Sequence, residues 1–297
     1  MTNNIILNNF SDIVKVQAIT QEVNTESLFD RSYKEKKISP IDEFLSNVNK
    51  INVLWLNNSE ISPEMANIVF LGFMSAVESY VRSLVRSLIQ VDAASQKIAS
   101  MKEITFGAAL HHTKLMLPEA LMDEFSFVHM DNIKETFKVL LGIKIGLNNN
   151  TEREFNNICQ LRHCCVHRFG KLGAKNAMKL GIDKHNSLFE KPLKINNSNL
   201  DRIAQNIRSI VKQINNSTYK EIMNRTYPVP VNQKQRDEFE RQGLSILWTK
   251  IYANDRSLFR QYYNIFSSQF DSIKSDPLKK SYDSFIANRL AEEALRP

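Results

Sequence analysis

Three observations predict an all-α fold for the 297-residue chain. Eight glycines and eight prolines fall well below the average usage of about 7% and 5%, leaving too little turn punctuation for a β-sandwich or a Rossmann sheet. Apolar residues recur at three- and four-residue spacing along most of the chain, the period of an amphipathic helix. An apolar content of 42% beside 24% charged residues supplies a sizeable core without disulfide or metal staples. The three cysteines, Cys159, Cys164 and Cys165, are an odd number crowded into one short stretch. That is no disulfide framework and fits a reducing compartment.

Residues 1–38 read as an N-terminal arm, with one alternating run at 13–19 that fits a strand and a charged close at Lys34-Glu35-Lys36-Lys37. No basic leader precedes an apolar stretch, and no run approaches the roughly 18 apolar residues of a membrane span, so no membrane partner and a cytoplasmic location are expected. Ser39-Pro40 opens the first helix, with Ser39 as N-cap and Ile41, Phe44, Leu45, Val48, Ile51 and Trp55 at helical spacing. A second helix starts at Ser62-Pro63-Glu64 and runs to about Asp92, roughly 45 Å at 1.5 Å per residue. Its stripe of Val69, Phe73, Val77, Tyr80, Val81, Leu84 and Leu88 marks it as the spine of a bundle.

Shorter helical patterns follow at 106–116, 118–128 and 132–141, then a Gly- and Asn-bearing connector over 142–150. Asn150 or Thr151 caps the next helix, Glu152 and Glu154 suit the positive end of its dipole, and Phe155, Ile158, Leu161, Cys165 and Phe169 form its core face before Gly170 stops it. Beyond a Lys- and Gly-bearing connector, a long amphipathic helix spans 199 to about 227 through Leu200, Ile203, Ile207, Ile210, Val211, Ile214 and Ile222. Tyr227-Pro228-Val229-Pro230 places the main boundary. Residues 39–227 thus read as a helical domain and 228–297 as a helical extension, with aromatic-rich stretches at 239–252 and 258–270 and a last helix at 282–295. The aromatics Trp248, Tyr252, Phe259, Tyr262, Tyr263, Phe266 and Phe270 have the faces for base stacking. Their helical spacing favours core or dimer packing instead.

The formal charge of +7 is unevenly placed. Residues 162–225 hold thirteen Lys or Arg against four acids, or +9, and the remaining 26 basic and 28 acidic residues give −2. Such a stretch concentrates polyanions, nucleic acid before an acidic small molecule; a solvated basic surface is the plainer alternative.

Inside that region lies Ile158-Cys159-Gln160-Leu161-Arg162-His163-Cys164-Cys165-Val166-His167-Arg168-Phe169-Gly170. On a helical wheel Arg162 falls at the edge of the apolar stripe, and His163 and His167, four apart, are neighbours on the adjacent flank. Three readings fit. Arg162 and His167 form a nuclease pair, the imidazole removing a ribose 2′-hydroxyl proton while the guanidinium binds the phosphate. Alternatively Cys159, His163 and His167 hold zinc, although the glutamate of the helical zincin motif is missing and two arginines flank the site. Or the cysteines fill a core and the histidines cover an exposed flank.

Arg162, four residues, then His167 on a helix late in an all-α bundle resembles the Arg-x(4–6)-His motif of the HEPN superfamily. His163 occupies the polar position that commonly follows the arginine. The stretch from Phe70 to Tyr80, with Glu78 as a mid-helix acid, resembles the long second helix of such domains, and the resemblance covers approximately residues 40–227. It implies a HEPN-like bundle and a homodimeric RNA endonuclease needing neither metal nor cofactor, whose motif helices meet to form a cleft and leave a 2′,3′-cyclic phosphate and a 5′-hydroxyl. Many relatives are toxins or antiphage effectors, so an antitoxin or regulatory protein is a possible partner. On this reading His167 is the general base, Arg162 binds the phosphate, His163 positions substrate or protonates the leaving oxygen, and Glu78 orients Arg162. Arg168, Lys171, Lys175 and Lys179 are expected to contact RNA. A HEPN-like module that binds RNA or nucleotide, or dimerises, without catalysis is the competing reading.

Overall fold

The computed structural model describes residues 20–34, 36–57 and 59–295, so the alternating run at 13–19 lies outside the described residues. Residues 1–37 and 38–297 are separate compact units. In the first, a 3-10 turn at Thr25–Leu28 is capped by Asn24.

The second unit is built from helices, with twelve α-helices and no strand among the described residues. Helix α1 (Pro40–Val53) begins where Ser39 Oγ accepts the Asp42 N–H, and α2 (Pro63–Val91) where Ser62 Oγ accepts the Met65 N–H. Each proline sits in a first turn whose N–H has no intrahelical acceptor. The stripe expected on α2 is buried from Val69 to Leu88, each large side chain contributing about 1.5–3 kcal/mol relative to exposure. By length and apolar content α2 would suffice to cross a membrane, contrary to the reading that no segment comes close. Here most of its apolar surface is covered by other helices of the unit.

Short helices α3 (Ala93–Ala99), α4 (Phe106–His111) and α5 (Leu117–Ala120) lead to α6 (Met130–Thr136), which runs into a π turn at Phe137–Leu141. The pattern at 118–128 thus yields only one helical turn. Helix α7 (Asn149–Arg168) starts earlier than expected because Asn148, not Asn150 or Thr151, caps it by accepting the Asn150 N–H at 2.8 Å. The supposed connector after it contains α8 (Ala174–His185). Helix α9 (Asn197–Thr226) opens on a capping box between Asn196 and Asn199. Around the α2 spine pack α1, α7, α9 and, from the far end of the chain, α11 (Tyr252–Phe266).

The break at 227–230 ends α9 without separating a domain, since residues 38–297 are one compact unit. Between α10 (Gln233–Gln242) and α11 the chain is irregular, so the pattern at 239–252 is not one helix. Trp248 is buried there, donates Nε1–H to Thr226 Oγ1 at 2.9 Å and meets the rings of Phe259, Tyr262, Tyr282 and Phe285. Tyr282 and Phe285 belong to α12 (Leu278–Ala294). Buried Asp42 of α1 accepts Ser268 Oγ–H and the Gln269 and Phe270 N–H groups, tying the α11–α12 connection back to the first helix. Of the seven tail aromatics Trp248, Phe259, Tyr262 and Phe266 are core residues, whereas Phe270 is exposed.

Candidate functional site

Helix α7 carries a polar strip, Glu152, Asn156, Gln160, His163 and His167, within an arc of about 80° at 100° per residue. Neighbouring helices occupy its first part. Lys134 of α6 pairs with Glu152 at 2.5 Å, Asn156 Oδ1 accepts the Met130 N–H at 3.0 Å, and Asn176 of α8 donates to Gln160 Oε1 at 3.2 Å. Past these contacts the strip emerges. His163 is half-buried and His167 exposed, with rings near parallel (15°) and centroids 5.8 Å apart.

Four basic groups surround His163. Burial, then the charges of Arg162, His167, Lys179 and His129, hold its imidazole below the ordinary range, so the ring is neutral near pH 7. His129 is the N-cap of α6, where its Nδ1 lies 3.3 Å from the Asp131 carboxylate. The sequence marked it only as part of a break between helices. Its approach to α7 depends on the contact between Met130 and Asn156, 26 residues apart, which no local spacing reveals.

Arg162 is half-buried, and among the described residues it has no ion-pair or hydrogen-bond partner. Glu78, expected to orient it, is committed to its own helix: Oε1 accepts from Arg82 Nε and Nη2, both at 3.4 Å. A guanidinium without an intrachain carboxylate is available to an external anion. Arg168, expected to bind RNA, is paired with the Glu190 carboxylate. A Cβ at Gly173 would stand 2.6 Å from Arg168 Nη1, so glycine there leaves room for the guanidinium. Lys171, Lys175 and Lys179 are exposed and, among the described residues, unpaired.

Cys159 lies in the core, and burial pushes its thiol up to about 12. Among the described residues no three His, Cys, Asp or Glu side chains are grouped to hold a metal ion. Cys164 and Cys165 are buried as well. Phe169, expected on the core face, is 85% exposed because the chain leaves the helix there in the left-handed region. A groove of about 500 Å³ between α9, α11 and α12 is lined by none of these residues.

Comparison with family models, with curated proteins and with solved structures gave no match for the chain.

Proposed function

We propose that the chain is a metal-independent, HEPN-type endoribonuclease acting on cellular RNA in the cytoplasm, of the toxin or antiphage-effector kind. The observation that carries this reading is the half-buried, intrachain-unpaired Arg162 guanidinium one residue from a stacked imidazole pair. In the proposed reaction His167 takes the 2′-hydroxyl proton and the oxygen attacks the adjacent phosphorus. The P–O5′ bond breaks, giving a 2′,3′-cyclic phosphate and a 5′-hydroxyl. Arg162 binds the non-bridging oxygens as their charge grows. His163, neutral near pH 7, suits positioning better than proton donation. Protonation of the leaving oxygen then falls to the second subunit's His167, in a homodimer joined through the α7 helices. Exposed Val166, between the two histidines in sequence, gives that contact apolar surface.

One observation favours the non-catalytic reading: among the described residues neither His163 nor His167 has a side-chain hydrogen bond that would fix its tautomer. Incubation of wild type and His167→Ala with total RNA plus EDTA separates the two. Cleavage that survives chelation and falls about 10²- to 10⁴-fold in the variant supports the nuclease. Cleavage unchanged by the substitution, or abolished by chelation, contradicts it, and retention of RNA at unaltered length supports the binding module.

A further inference from the structure

Phe169 combines two features that folding alone disfavours. It sits at φ 51° and ψ 43°, the left-handed region where glycine is the residue without steric cost, and its ring is 85% exposed. The helix end does need a left-handed residue: the N–H groups of Phe169 and Gly170 both turn back to the Cys164 carbonyl, the kind of termination usually built on glycine. A phenylalanine here keeps the strain and gains no burial.

The backbone around it is held from both sides. Leu172 N–H donates to Lys191 O, Glu190 N–H to Leu172 O and Leu193 N–H to Gly170 O, at 3.0–3.1 Å. Glu190 is itself left-handed at φ 59°, and its carboxylate takes the Arg168 guanidinium next to Phe169. Among the described residues, two of the three non-glycine residues with positive φ therefore lie at this one place. His167 is two residues before the ring, and the unpaired Lys171 follows two residues after it. Lys175 and Lys179 stand on the adjoining α8. The neighbouring acid Glu190 is already engaged by Arg168. An exposed aromatic ring on a held backbone, with one unpaired lysine two residues away and two more on the adjoining helix, matches a nucleobase with its phosphates better than an apolar protein surface.

We infer that Phe169 is a base-stacking subsite, which takes the unpaired nucleobase next to the linkage held by Arg162 and His167 and so selects single-stranded over duplex RNA. This rests on the proposed RNA reading and adds to it a residue outside the Arg-x4-His motif. The test measures binding of a labelled single-stranded oligoribonucleotide by fluorescence anisotropy, with all variants in a His167→Ala background so that the strand stays intact. Phe169→Gly is expected to weaken binding about 5- to 100-fold while melting about 1–3 °C higher, because the strain is relieved. Phe169→Trp is expected to retain affinity. Unchanged affinity in Phe169→Gly overturns the subsite, as does a lowered melting temperature or a loss of self-association at unchanged affinity, which would make the ring a packing or protein contact. Absence of RNA binding by the parent overturns it too. RNA bound through Phe169 yet left uncut by the wild type would sink the nuclease reading alone and leave the subsite standing.

Discussion

Burial and the adjacent Arg162, His167, Lys179 and His129 all disfavour the protonated form of His163. An NMR titration is therefore expected to place its midpoint below about 6.5, and Lys179→Ala to raise that midpoint by removing a positive neighbour; a midpoint above 6.5, or one indifferent to Lys179, contradicts the arrangement. The sign for stability follows. The unfolded chain binds the proton more readily, so this residue's contribution is lost as pH falls through the unfolded value toward the folded one. Asp92 is held instead by an opposite charge. Its buried carboxylate takes Arg225 and the Tyr262 hydroxyl, while Arg225 also reaches Ser95 and the Leu141 carbonyl. Asp92→Ala leaves a buried guanidinium without its charge partner, at an expected cost of about 3–5 kcal/mol in urea denaturation. A loss below 1 kcal/mol would show that water reaches the pair.

At the scale of elements, the end of α7 is tied to the segment beyond α8 by the Arg168–Glu190 pair and by the short backbone pairing of 170–172 with 190–193. Glu190→Gln releases Arg168 toward solvent and removes one acid from a basic face. RNA affinity is expected to rise and the slope of log K against log salt to steepen by about one; an unchanged slope would mean Arg168 stays away from the strand. Helix starts were legible in the sequence wherever a side-chain cap precedes a proline, as at Ser39 and Ser62. They were less legible at α7, where three asparagines in a row offer equivalent caps and only the turn geometry selects Asn148. Helix α8 was missed because Gly173 and Gly181 flank and interrupt it, the latter at φ 103°, and its one buried residue, Ala177, leaves too small an apolar stripe to register. Phe169 was misplaced for a related reason. Periodicity assigns it to the core face, but the helix ends one residue earlier.

For the whole molecule, the sequence showed the helical class and the spine, since those depend on composition and on a repeat within one helix. It did not show that the C-terminal stretch belongs to the same compact unit, because the ties, apolar and polar alike, are long-range. Asp42 holds the 268–270 backbone, Thr226 takes the Trp248 indole, and Arg289 reaches Asn224 and the Tyr227 carbonyl. Removal of residues 231–297 should therefore expose the core and give an aggregating or non-cooperatively unfolding product. A soluble, cooperatively melting 1–230 fragment would instead restore the two-domain division. The candidate site was legible only in its motif, Arg162, His163 and His167. His129, the unpaired state of Arg162 and the diversion of Glu78 and Arg168 to other partners arise from tertiary contacts or competing local pairs that the motif does not encode.

The central claim, that Arg162 and His167 cut RNA through its own 2′-hydroxyl, is tested most directly by mass analysis of the products from a defined single-stranded RNA and from the same strand carrying one 2′-deoxyribose at the cleavage site. A 2′,3′-cyclic phosphate with a 5′-hydroxyl from the first and an intact second strand is the predicted result. A 5′-phosphate with a 3′-hydroxyl, or cleavage at the deoxy position, would contradict it.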